Sequence, residues 1–180
     1  MNYRRLFDNM HPGFFNETGI KNMSEKQIFA ELVMDLRRTT PVQVPYSFGD
    51  NIEFREYRGD IGEIKEAVGR VDEEWIRYFC ETGRFFCAYD RSSIVSFCIL
   101  EDWGIQDALH IGGPGCVGTI PEYRGKGIGL EMVRRATNVL KKDGFDISWI
   151  HYTALWQWYE KLGYQTVLKW NSKGEFLQLN

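Results

Sequence analysis

The 180-residue chain has no apolar run approaching the roughly 18 residues that a membrane-spanning helix needs. Paired metal-ligand spacings are missing as well. Cys80, Cys87, Cys98 and Cys116 form no CxxC and no Cys/His pair, which excludes the usual zinc frameworks. There is no cluster of Lys and Arg, and the formal net charge is -3. Affinity for a phosphate backbone rests on clustered positive charge, so nucleic-acid and anionic-membrane partners are not expected. The start, MNYRRLFDNM, has two arginines but no apolar segment behind them. No signal peptide is expected, and the cysteines read as reduced thiols of a cytoplasmic protein. Two short glycosylation sequons, at Asn16 and Asn22, carry no weight without a secretory route. There is no internal repeat and no low-complexity tract. What is present, 43% hydrophobic and 26% charged residues, suits one globular domain able to bury a full core.

Residues 1–45 differ from the rest. Ser24-Glu-Lys-Gln27 reads as a capping box, followed by Ile28, Phe29, Leu32, Val33 and Leu36 at helical spacing. Thr39-Thr40-Pro41 ends that pattern, because the residue before a proline resists the helical region. The pattern predicts a helical extension over 1–45, too short to bury its own stripe. It must pack on the main body or on a second copy, as in a homodimer. From Asn51 the pattern becomes mixed α/β. A strand over 52–57 alternates apolar and charged residues, and two short helices fit 60–82. Strands at 84–89 and 93–100 are split by Asp90-Arg91-Ser92. A glycine-rich strand runs from Ala108 towards Ile120. The clearest helix begins at Ile128 and stops at Gly144, with Lys141-Lys142 suited to the negative end of its dipole. A strand over 145–152, a short helix ending at Gly163 and a C-terminal hairpin complete the order.

The segment Thr119-Ile-Pro-Glu-Tyr-Arg-Gly-Lys-Gly-Ile-Gly-Leu130 joins a strand to that helix. Glycines at 125, 127 and 129 allow close backbone approach. The first helical turn offers unpaired N–H groups, and Arg124 and Lys126 add charge. This is a site for a pyrophosphate or a similar anion. It is not a P-loop, because Ile120 and Gly127 stand where that motif needs Gly and Ser/Thr. Gly113-Pro-Gly115-Cys-Val-Gly118 satisfies the dinucleotide string GxGxxG but leads into the extended Thr119-Ile120-Pro121 rather than a helix.

Arg124-Gly-Lys-Gly127-Ile-Gly129 resembles the R/Q-x-x-G-x-G/A signature of the GCN5-related N-acetyltransferase (GNAT) family. Trp158-Tyr159-Glu160-Lys161-Leu162-Gly163-Tyr164 is similar to that family's second signature. The two occur in the right order, and residues 51–180 follow the family's element order. The resemblance implies a GNAT-like α/β fold with a mixed sheet, the acetyltransferase domain occupying 46–180. It implies acetyl-CoA as co-substrate and an acetyl group transferred to a primary amine of a small molecule, an amino sugar or polyamine. The other readings are a non-catalytic acyl-CoA-binding module and a peptide or protein acetyltransferase. By the same resemblance Arg124, Gly125, Lys126, Gly127, Ile128, Gly129 and Leu130 hold the pyrophosphate. Val117, Gly118 and Thr119 run beside the pantetheine arm, with the Val117 N–H polarising the thioester carbonyl. Tyr159 is the general acid, and no metal is implied. The base is open between Glu101, Asp102, His110, His151 and water. The family often has an Asn before the second signature helix, where Tyr152-Thr153-Ala154 stand here.

Overall fold

The computed structural model describes residues 1–45, 48 and 51–179. Its strands are β1 (Ile28–Asp35), β2 (Ile52–Glu56), β3 (Phe85–Asp90), β4 (Ser93–Gln106), β5 (Leu109–Thr119), β6 (Ile147–Thr153), β7 (Gln165–Asn171) and β8 (Phe176–Leu177). Its helices are α1 (Tyr3–Met10), α2 (Thr18–Lys21), α3 (Ile61–Gly69), α4 (Ile128–Lys142) and α5 (Trp156–Glu160). Single 3-10 turns lie at Phe14–Asn16, Glu73–Tyr78 and Pro121–Tyr123. The strands form one mixed sheet in the order β2-β3-β4-β5-β6-β1-β7-β8. Neighbours are antiparallel except β5 and β6, which are parallel.

The helix expected from Ser24 onward is a strand. Ile28–Asp35 is β1, buried along nearly its whole length and paired antiparallel with both β6 and β7. Apolar residues at 28, 29, 32 and 33 suit a helix face, but Ile28–Met34 is interrupted only by Glu31. A near-continuous apolar run is what a strand buried on both faces requires. Ser24 belongs to a turn, where the Gln27 N–H donates to the Ser24 carbonyl at 3.0 Å. The helical part of the lead is α1 to α2, and it covers the sheet.

Two layers sandwich the sheet. On one face α4 buries Ile128, Met132, Val133, Ala136 and Leu140 against Leu32, Met34, Cys98, Leu100 and Ile150. On the other, α3 and the 73–78 turn cover the β3–β4 half around Phe79, Phe85 and Phe97. The lead covers the β6–β1–β7 half. There Leu6, Phe7, Phe14 and Ile20 pack on Phe29, Trp149 and Trp170, both tryptophans at 0% exposure. Each such apolar side chain stabilises the fold by about 1.5–3 kcal/mol. The lead is also tied at its surface. Arg5 pairs with Asp107 of the β4–β5 turn, and the Arg4 guanidinium lies 3.8 Å from the centre of the Phe176 ring.

Candidate active site

The glycine loop enters α4 through two left-handed residues, Gly125 (φ 75°) and Gly127 (φ 81°). A side chain there would meet its own backbone, so glycine is what permits the turn. No side chain caps α4, and the first helical bond is Glu131 N–H to the Gly127 carbonyl at 3.1 Å. The N–H groups of residues 125–130 therefore find no acceptor among the described residues. Arg124 is partly committed, because its Nε donates to the Thr119 carbonyl at 2.9 Å and ties the loop to β5. Lys126 lies over the Tyr123 ring, 4.9 Å from its centre. Gly129 is packed so closely that a Cβ would sit 2.6 Å from the Thr119 Oγ1. The six free N–H groups and the positive end of a 15-residue helix form an anion cradle at the end of β5.

That end of β5 faces an opening. β5 and β6 pair only at Ile111–Ile147 and Gly112–Ser148; Gly113 still lies against the Trp149 backbone, and no β5–β6 pairing follows it. On the β4 side the register slips between Phe97–Gly118 and Ile99–Gly115, leaving one extra residue on β5. Cys116 sits in this bulge with φ 45°. The Ile120 N–H donates to Val95 of β4 at 2.9 Å. Backbone groups alternate along a strand, so Val117 and Thr119 turn theirs away from β4, towards the opening. Across it, β6 carries a second left-handed residue, Tyr152 (φ 54°). Two non-glycine residues of this kind on facing strands are a backbone cost of the sort that collects at functional sites.

Different side chains reach the opening on its two faces. On the α4 face stands Tyr159 of α5, 6% exposed and packed edge-on against Trp158. Burial pushes its phenol well above the ordinary value, and Tyr164, Cys98 and Cys116 push the same way. On the opposite face stand Glu101 and His151. Glu101 packs its side chain against Gly115, and burial raises its carboxyl while His151 acts to lower it. Burial, then Glu101 and Asp72, push the Cys116 thiol up to about 12. Cys116 thus lies within electrostatic reach of both Tyr159 and Glu101. The other two base candidates are elsewhere. His110 and Asp102 pair at 2.9 Å at the closed end of the β5–β6 junction, and the His110 ring stacks on Phe145. Burial acts to raise Asp102, but hydrogen bonds from the Gly104 N–H and His110 outweigh it and hold the carboxyl below its ordinary value.

Residues 81–166, from just before β3 into β7, match the acetyltransferase (GNAT) domain family. Over that segment, just under half of the chain, it is similar to the GCN5-related N-acetyltransferase family. Solved GNAT structures share its fold. A glucosamine N-acetyltransferase region of a fungal multi-domain GH3 β-N-acetylglucosaminidase superposes with a TM-score of 0.65 at 20% identity, over 81% of this chain and 20% of that one. A GNAT-family protein from Novosphingobium aromaticivorans gives 0.57 at 16% identity, over 79% and 61%. One from Kribbella flavida gives 0.55 at 17%, over 86% and 60%. This chain therefore spans less than two thirds of each of those three. No curated protein matches it.

Within this GNAT fold the residues named from sequence fall into two groups. Val117 to Leu130 run from the end of β5 through the loop into α4, with Tyr159 packed on the α4 face of the sheet and Glu101 and His151 on the other. Asp102 and His110 do not join them. Two residues at the site carry no signature. Glu31 of β1 is fully buried and bonds His151, and His11 stacks on the His151 ring at 3.7 Å. The one clue to Glu31 was a carboxylate alone inside an apolar run, and His11 left none beyond its place in a turn. Among the described residues no group of His, Cys, Asp or Glu is arranged to hold a metal ion, and no helix is long and apolar enough to cross a membrane.

Proposed function

We propose that the chain transfers the acetyl group of acetyl-CoA to a primary amine of a small molecule. The observation that carries this reading is the run of undonated N–H groups at residues 125–130, opening directly into the gap between β5 and β6. A pyrophosphate fits that cradle through backbone hydrogen bonds and the helix dipole. The pantetheine arm then lies along the β5 edge at Val117–Thr119, and the Val117 N–H stabilises the oxyanion of the thioester. Tyr159 donates to the departing sulfur. A phenol held above its ordinary pKa stays protonated throughout, which suits a hydrogen-bond donor to the thiolate better than a full proton donor.

The acceptor side supports a small cationic substrate. Glu17 of the lead lies within electrostatic reach of Tyr152 and Arg77, and Asp72 and Glu101 act on Cys116. Asp72 and Glu101 beside Cys116 favour an ammonium group, while Arg77 acts there in the opposite sense. An amino sugar or a polyamine carries such a group. The test is thiol release from acetyl-CoA with an amine panel led by glucosamine and spermidine, against a no-amine control. Amine-dependent release supports the reading. Tight acetyl-CoA binding without release by any amine supports a non-catalytic acyl-CoA-binding module instead.

A further inference from the structure

We propose that Glu31, on the strand that the lead inserts into the sheet, is the positioning residue that makes His151 the proton acceptor for the amine. This rests on the acetyl-transfer reading above. Glu31 is 0% exposed, and both its oxygens are filled with donors. Oε2 accepts from Trp149 Nε1 at 2.7 Å and lies 3.0 Å from His151 Nδ1. Oε1 accepts from Trp170 Nε1 at 2.8 Å and from the Tyr152 N–H at 3.1 Å. The backbone yields around this one residue. Between the pairs Ala30–Thr153 and Leu32–Ile150, β6 carries an extra residue, and β7 does the same between Glu31–Leu168 and Leu32–Thr166.

The chemistry of the donors sets the tautomer of His151. Indole and amide N–H groups only donate, and a carboxylate only accepts. Nδ1 therefore carries the ring proton and donates a hydrogen bond to Glu31, leaving the lone pair on Nε2. The His151 side chain keeps 20% of its surface exposed, and Nε2 has no protein partner among the described residues. The groups facing the ring are Glu31 from β1, Glu101 from β4 and His11 from the lead. His11 stacks on it with planes 10° apart. Burial, then His151 itself, lowers His11 to about 3, so that ring stays neutral beside it.

The proton inventory closes. The substrate ammonium gives one proton to His151 Nε2, and the resulting imidazolium is faced by the Glu31 and Glu101 carboxylates. The freed nitrogen pair attacks the thioester carbon, forming C–N. The C–S bond breaks with its pair on sulfur, and the second nitrogen proton neutralises that thiolate. Ammonium and thioester become amide, thiol and one proton, which His151 returns to solvent.

The test begins with the wild-type chain and needs no substrate. Nitrogen-resolved NMR of the neutral His151 ring is expected to show the Nδ1–H tautomer. An Nε2–H ring, which a protonated Glu31 donating to Nδ1 would produce, overturns the proposal. With an amine that turns over, His151→Gln is expected to lower kcat by about 10²–10⁴-fold. It should also abolish the acidic limb of the pH profile and leave acetyl-CoA affinity within twofold. Glu31→Gln is expected to redistribute the ring tautomer and lower kcat at unchanged acetyl-CoA affinity, and a purely structural role would not move the tautomer. If that variant fails to fold, the wild-type spectrum and His151→Gln decide. Retention of the acidic limb in His151→Gln overturns the proposal while the transferase reading stands. Acetyl-CoA binding without turnover of any amine overturns both, whatever the tautomer.

Discussion

Gly113→Ala tests the junction that sets the opening. Gly113 follows the last paired residues of β5 and β6, and a Cβ there would lie 1.8 Å from the Trp149 backbone carbonyl oxygen. A carbon needs about 3.3 Å from such an oxygen, so the two strands must part by about 1.5 Å. Neither atom is the end of a flexible side chain. Trp149 is itself fixed at 0% exposure with its indole N–H on Glu31. The cost belongs at or above the upper end of the ~1–3 kcal/mol usual for overpacking. For a domain of this size, 3 kcal/mol lowers the melting temperature by about 6–12 °C. The control is Gly115→Ala on the same strand, where the nearest atoms, at 2.9 Å, belong to the Glu101 side chain, which swings away. Urea unfolding of both variants, followed by tryptophan fluorescence, is the assay. Gly113→Ala should lose about 3 kcal/mol and Gly115→Ala less than about 1 kcal/mol. Equal losses would refute the claim that backbone contact at Gly113–Trp149 sets the strand spacing.

Tyr159→Phe should lower kcat for acetyl transfer and leave the calorimetric affinity for acetyl-CoA nearly unchanged; unchanged turnover removes Tyr159 from the chemistry. His11 is lowered from 6.5 to about 3, so between those values the unfolded chain binds a proton that the folded one does not. The stability this supports is complete above pH 6.5 and declines as the pH falls towards 3, by at most about 1.4 kcal/mol per pH unit. His11→Phe should flatten that decline in urea titrations at a series of pH values, and an identical decline contradicts it. A chain lacking residues 1–45 should not melt cooperatively, because it loses β1 and leaves β6 and β7 with bare edges. A soluble 46–180 fragment with a sharp transition would show that the lead is dispensable.

The loop and α4 were legible because their signals are local. Glycines at fixed offsets, a 3.6-residue apolar stripe and a C-terminal Gly144 mean one thing each. The β3–β4 hairpin followed from its turn residues in the same way. β1 was not legible, since its apolar residues satisfy two periods and the arbiter is its pairing with β6 and β7, more than 110 residues away in the chain. Tertiary pairing overrides a weak local preference. The same distance hides the site's second half. Glu31 and His151 meet only after the sheet has formed, and no spacing rule relates residues 118 or more apart. Among the four base candidates, sequence had no means of telling the closed end of the β5–β6 junction from its open end.

The insertion of β1 between the last two long strands also sets the order of assembly. β1 is made first and its partners last: Glu31 is 118 residues ahead of Trp149 and 139 ahead of Trp170. At about 5–20 residues per second, a nascent chain carries this apolar strand with both edges open for about 6–28 s. Closing so long a loop is entropically expensive, and non-local pairing slows folding. Throughout that interval Glu31, a single charge in the middle of the run, interrupts the hydrophobic stretch that would otherwise invite pairing with a second chain.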